Sequence, residues 1–165
     1  MKSSLLSITQ LSKKILSRDR KALAQGISLL ENGDLKAFDL LERLSPHTNR
    51  ALRIGVTGLP GSGKSTLIER ISEDCIKKGH RVGVVLVDPT SPITGGALLG
   101  DRIRLKKIQS NKNIFIRSMA TRGRLGGLAL ASRYAADLME AAGYDRILIE
   151  TVGVGQLEVD VASAV

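Results

Sequence analysis

The sequence predicts an α/β fold, a three-layer α/β/α sandwich around a mostly parallel sheet, preceded by an N-terminal helical extension. Three observations carry that reading. From Leu52 onward, short runs rich in Val and Ile alternate with stretches whose apolar residues recur at helical spacing, the pattern of parallel strands joined by crossover helices. Residues 58–65 read GLPGSGKS and lie between one such strand and one such helix. Before Leu52 the strand pattern is missing, and amphipathic helical stretches fill residues 4–44. The boundary is therefore set at His47, with a helical extension over residues 1–47 and an α/β domain over residues 48–165.

In the extension, Leu5, Ile8, Leu11 and Ile15 fall near one face of a first helix, with Lys13 and Lys14 outside it. Asp19 stands where an N-cap belongs for a second helix through Leu23, Ile27 and Leu30, stopped at Asn32–Gly33. Asp34 can cap a third, whose apolar stripe reads Leu35, Phe38, Leu41 and Leu44 and which ends at Ser45–Pro46. These stripes are packing surface rather than a cofactor box. His47 has no second ligand-type residue beside it and carries little functional weight.

In the α/β domain, strands are expected over residues 52–57, 81–88, 114–117 and 145–150. Helices are expected over residues 64–78, 97–109 and 128–142, with Gly79 and Gly143 as stops. Leu67, Ile68 and Ile71 give the helix after the glycine loop its apolar side. Residues 89–96 and 123–127 read as loops. A last helix opens at Gln156 and is cut at Val165, so more strands are expected to follow and the chain reads as a fragment.

Composition narrows the function classes. The chain has 165 residues, 42% hydrophobic, and a net charge of +9. Its only aromatics are Phe38, Phe115, Tyr134 and Tyr144, so the core is aliphatic, and that scarcity weakens a reading as a single-stranded nucleic-acid binder, which would want stacking platforms. Between Asp101 and Arg124 stand eight basic residues, Arg102, Arg104, Lys106, Lys107, Lys112, Arg117, Arg122 and Arg124. They could face a triphosphate, an acidic partner or nucleic acid, and for most of them a solvated face is the default. No nucleic-acid motif supports a duplex-binding role. The single cysteine, Cys75, permits no intramolecular disulfide and fits a reducing compartment. No apolar run nears the roughly 18 residues that span a bilayer. The cytoplasm is the expected location.

The chemistry centres on GLPGSGKS, which fits G-x-x-x-x-G-K-[ST] in its strand–loop–helix setting. Gly58, Gly61 and Gly63 allow successive backbone N–H groups, with those of Leu59, Pro60's neighbours and Ser62, to turn on phosphate oxygens. Lys64 is placed to reach the β- and γ-phosphates, Ser65 to coordinate Mg²⁺ and Thr66 to sit toward the α-phosphate. A second carboxylate is needed to hold Mg²⁺ or orient water, and two stand at strand ends, Asp88 and Glu150. Gly153, three residues after Glu150, is placed to bring a backbone N–H to the γ-phosphate. Asp101 is a third acid, which alone would read as a helix residue.

Three further motifs carry a resemblance. Residues 87–102 read VDPTSPITGGALLGDR, residues 116–129 read IRSMATRGRLGGLA and residues 150–156 read ETVGVGQ. Together with the loop they resemble the MeaB/ArgK family of P-loop GTPases, associated with methylmalonyl-CoA mutase and also described as lysine/arginine/ornithine (LAO/AO) transport ATPases or kinases. The resemblance implies a P-loop NTPase fold, slow Mg²⁺-dependent GTP hydrolysis, a homodimer, and a chaperone that gates adenosylcobalamin loading into the mutase and protects it. It places the Walker B glutamate on Glu150, the strand-end aspartate on Asp88 and the switch I aspartate on Asp101, with Mg²⁺ and water positioning as their implied work. Glycines 95, 96, 123, 126 and 127 would free the switch loops. Family members continue past this length through a guanine-reading Asn-Lys-x-Asp motif, so GTP rather than ATP rests on the resemblance. Two alternatives stay open: an ATP-using transport-associated ATPase or kinase, and a truncated, non-catalytic nucleotide-binding module.

Overall fold

Four strands, β1 (Leu52–Val56), β2 (Val82–Asp88), β3 (Ile114–Ala120) and β4 (Arg146–Thr151), pair wholly in parallel in the order β1-β4-β2-β3. The computed structural model describes residues 6–88, 105–120 and 127–151. The expectations for Leu5, residues 89–104, residues 121–126, Gly153 and the helix at Gln156 therefore lie outside the described residues, Asp101 among them.

The central strands are covered on both faces, which is why they read as nearly continuous apolar runs. Val82, Val84, Val85, Ile147, Leu148 and Ile149 have no exposed surface. One face carries α4 (Lys64–Lys77) and the short α5 (Lys106–Gln109), packed through Ile68, Leu105 and Ile108 against Val84, Leu86 and Leu148. The other carries α6 (Gly127–Ala141) and the three N-terminal helices, α1 (Ile8–Leu16), α2 (Arg20–Asn32) and α3 (Lys36–Leu44). A single apolar cluster runs from Leu11, Leu23 and Leu40 through Leu138 and Met139 to Ile147 and Ile149.

The N-terminal helices begin and end where local chemistry dictates. Ser7 and Gln10 form a reciprocal capping box at α1. The Asp19 carboxylate accepts from the backbone N–H of Lys21 (2.8 Å) and Ala22 (3.0 Å), as the sequence led one to expect. The Ala22 bond, against a burial effect, keeps its pKa below the ordinary carboxylate value. Gly33 closes α2 in the left-handed conformation at φ 66°. Asp34 accepts from Lys36 N–H (2.9 Å) at the start of α3, whose helical turns run into a 3₁₀ turn at Ser45–His47.

The expected stripe on α3 is corrected by the structure. Leu35 is 80% and Phe38 59% exposed; Leu44 is buried as expected, but together with Ala37 and Leu40. Both faces satisfy helical spacing, and the sequence reading favoured the bulkier one. The choice is made by α2, whose Gly26 lets α3 and α6 approach: a Cβ there would stand 3.1 Å from Leu40 Cδ2 and 2.8 Å from Leu138 Cδ2. Leu67 on α4 is likewise half exposed rather than part of the packed side, which Ile68 and Ser72 supply. Strand β3 runs to Ala120, three residues past the expected end, because it pairs with β2 through Asp88.

Two buried ion-pair groups tie the helices to the sheet. Arg53 of β1 reaches Asp137 (2.5 Å) and Glu140 (2.7 Å) of α6, and the other Glu140 oxygen accepts from the backbone N–H of Arg50 and of Ala51 (2.7 Å). Burial disfavours the Glu140 charge, but the Arg53 and backbone hydrogen bonds outweigh it and hold its pKa below the ordinary value. Burial likewise acts against the Arg53 cation, and the two carboxylates overcome it and raise its pKa. Arg117 of β3 donates to Glu31 and to Ser28 Oγ (2.9 Å) on α2. Within the basic segment, then, Arg117 is neither a solvated residue nor free to meet a phosphate.

Candidate functional site

The glycine loop leaves the carboxyl end of β1 and enters α4, so it lies at the edge of the sheet where open α/β folds take their ligands. Gly58, Gly61 and Gly63 all have positive φ, at 139°, 78° and 90°. That backbone is strained for any residue with a Cβ and turns the loop tightly enough to close on an anion. Within it, Ser62 N–H donates to Leu59 O at 3.2 Å. Helix α4 opens from Gly63 with no side-chain cap. No acidic residue stands in the first turn of α4 itself, so its first N–H donors and the positive end of its dipole face the loop, the arrangement that binds phosphate in other helices.

Lys64 lies over this loop. Its Nζ donates to Gly58 O (2.6 Å) and Leu59 O (3.0 Å), so the ammonium is held by loop carbonyls rather than by an acid. Leu59, Pro60, Gly61 and Ser62 are exposed, as is Thr66 on the next turn. On the inner side, Ser65 Oγ donates to Glu150 Oε1 at 3.1 Å. This contact joins residues 85 apart in sequence. It exists because β4 inserts between β1 and β2, with Glu150 in register with Val56, the last residue of β1, and with Leu86 of β2. Asp88 ends the neighbouring strand, two residues beyond Leu86. The structure thus gathers Lys64, Ser65 and Glu150 and places Asp88 at the same edge of the sheet.

The oxygens present fit a magnesium ion. Mg²⁺ holds six oxygens at about 2.0–2.1 Å, so adjacent ligands stand roughly 3 Å apart. Ser65 Oγ and Glu150 Oε1 have that separation. Among the described residues no group of three His, Cys, Asp or Glu side chains gathers elsewhere to hold a metal. A site built of one hydroxyl and one carboxylate suits an ion that takes its other ligands from phosphates and water.

The sequence reading did not foresee the Arg53–Glu140 contact, which fixes where the strand feeding the loop begins. Glu140 sits near the end of an amphipathic helix, where an acid reads as solvent-facing, and no local signal marks it.

The family model for the methylmalonyl-CoA mutase-associated GTPase MeaB matches residues 23–165. The chain belongs to the MeaB family. A Pyrococcus abyssi relative is 49% identical to it over 154 residues, 93% of this chain and 48% of its own length. The GTPase ArgK of Escherichia coli is 41% identical over 157 residues, 93% of this chain and 47% of its own. A crystal structure of an LAO/AO transport system kinase superposes with a TM-score of 0.76 at 32% identity, covering 96% of this chain and 48% of that one. The chain spans about half the length of the curated relatives it matches. Its P-loop α/β fold is that of the MeaB family, and both the fold and the family agree with the sequence reading.

Proposed function

We propose that this MeaB-family chain carries the phosphate-binding part of a Mg²⁺-dependent GTPase that serves as a chaperone for an adenosylcobalamin-dependent methylmalonyl-CoA mutase, in cofactor loading and protection. The single observation that supports it best is the Ser65–Glu150 contact at 3.1 Å beside an uncapped helix start and a lysine held over the loop. In this reading the N–H groups of the loop from Gly58 to Gly63 cradle the phosphates. The Lys64 ammonium exchanges its two carbonyl partners for β- and γ-phosphate oxygens. Thr66 lies toward the α-phosphate, and Gly153 offers a backbone N–H to the γ-phosphate. Ser65, Glu150, Asp88 and Asp101 would hold Mg²⁺ directly or through water, and Mg²⁺ when bound supplies charge neutralisation across the transferring phosphoryl group. Residues 1–47 act as a helical extension to the nucleotide domain at 48–165, in a cytoplasmic homodimer. Among the described residues no helix is long and apolar enough to cross a membrane.

The test is nucleotide binding and hydrolysis. Wild-type protein binds GTP in a Mg²⁺-dependent manner, Lys64→Ala lowers turnover at least about 100-fold with an unchanged melting temperature, and Glu150→Gln weakens the Mg²⁺ dependence. Wild-type hydrolysis by Lys64→Ala would sink the assignment. The likeness to the LAO/AO transport system kinase supports a second reading, an ATP-using ATPase or kinase. Competition between the two nucleotides separates them: tighter ATP than GTP binding establishes the second. Binding without any turnover would instead mark a non-catalytic nucleotide-binding module.

A further inference from the structure

The end of the sheet opposite the phosphate loop collects positive charge. Arg81 immediately precedes β2, Lys112 lies just before β3, and Arg18 and Arg20 flank the turn between α1 and α2. Arg20 stacks over Phe115 at 5.6 Å and donates to Lys112 O at 3.2 Å. Arg81 stacks over Tyr144 at 4.5 Å and donates to Ala142 O at 3.1 Å. Phe115 and Tyr144 are themselves neighbours, with centroids 6.0 Å apart. Two guanidinium groups are therefore held in place on one pair of buried rings.

Arg81 is accounted for by the carbonyls that end α6. Arg18 is not. It holds φ 68°, is exposed, and its side chain makes no hydrogen bond or ion pair among the described residues. Yet its Nε and Arg81 Nη1 each lie 3.1 Å from the point where a Cβ on Gly143 would stand. The two nitrogens are thus no more than about 6 Å apart, a separation at which like charges repel unless an anion lies between them. The nearby acids are engaged: Asp19 caps α2, and Asp145 is held by His80, Arg146 and the Arg81 N–H.

We propose that this corner, Arg18 and Arg81 with Arg20 and Lys112 beside them, is a docking surface for carboxylates of an acidic protein partner. The inference rests on the function proposed above, which makes that partner the mutase. An acidic protein fits better than a single-stranded nucleic acid, because the aromatic rings at this corner are buried under the arginines and offer no face for bases to stack on, and no duplex-binding motif accompanies the patch. Placed at the far edge from the phosphate loop, the surface leaves the nucleotide site open while the partner is engaged.

The experiment compares wild type with the double charge reversal Arg18→Glu/Lys112→Glu, at two exposed positions whose side chains make no hydrogen bond or ion pair among the described residues. Isothermal titration measures affinity for methylmalonyl-CoA mutase at low and moderate salt, fluorescent GDP reports the nucleotide site, and a melt reports folding. Expected are at least tenfold weaker mutase binding, a shallower salt dependence, unchanged GDP affinity and an unchanged melt. Equal mutase affinity in wild type and variant overturns the docking surface alone. No mutase binding by wild type overturns the docking surface together with the chaperone reading. Loss of duplex DNA retention in the variant, with mutase binding intact, overturns it in favour of a nucleic-acid surface.

Discussion

Removing the Glu140 carboxylate tests how α6 and the segment leading into β1 are held together. Its side chain is 3% exposed and makes bonds of two kinds, to the Arg53 guanidinium (2.7 Å) and to the N–H groups of Arg50 and Ala51. In Glu140→Ala, Arg50 is exposed enough for water to replace its acceptor, so little is lost there. The partly buried Ala51 N–H is left without a partner, at about 1–2 kcal/mol. Arg53 keeps Asp137 at 2.5 Å but loses half its compensation while only 12% exposed, which costs about 2 kcal/mol more, below the roughly 3–5 kcal/mol of a fully broken buried pair because Asp137 remains. The expected total is about 3 kcal/mol. In urea that lowers the unfolding midpoint by about 1–2 M, and in a thermal melt it lowers the midpoint by roughly 6–12 °C. Glu140→Gln keeps an acceptor for the backbone and should lose about half as much. The pH dependence separates charge from shape. The Glu140 pKa is depressed in the folded state, so its ionic contribution is fully present above its ordinary value of 4.5 and is lost as pH falls through the lower folded value. The gap between wild type and Glu140→Gln should therefore narrow progressively as pH falls below 4.5. An Ala variant whose midpoint moves by less than about 0.3 M, or a Gln variant whose deficit never shrinks as pH is lowered from about 7 through the acid range, would refute the reasoning.

Two further outcomes follow from the packing. Leu40→Ala, at a fully buried position, should cost about 2–4 kcal/mol, whereas Phe38→Ala, 59% exposed, should stay within about 0.5 kcal/mol; equal losses in denaturant melts would restore the bulkier stripe as the packed face of α3. Gly26→Ala should destabilise by about 1–2 kcal/mol despite the better helix propensity of alanine, because its Cβ meets Leu138, Ile15 and Leu40 at 2.8–3.1 Å, and a stabilised variant would show that the three helices can part.

Much of the site was legible in order along the chain. The phosphate loop, its strand and its helix are contiguous, so backbone geometry at Gly58, Gly61 and Gly63 and the placement of Lys64 and Ser65 follow from local chemistry. So do Asp19 and Gly33, which bound α2 by capping alone. Other features depend on which elements become neighbours. Glu150 reaches Ser65 only because β4 inserts beside β1, a sheet order that no local pattern specifies. The packed face of α3 was misread because two faces have the same period, and only contact with Gly26 of α2 and with α6 selects between them. Arg117 and Glu140 carry charges that sequence habit assigns to solvent. They are buried because Glu31 and Arg53, distant along the chain, meet them there. The sequence alone determined where the glycine loop and its helix start stand, through local turns that need no partner. The tertiary structure decided which carboxylate joins that site and which charges are compensated, since those depend on strands and helices meeting across the sheet.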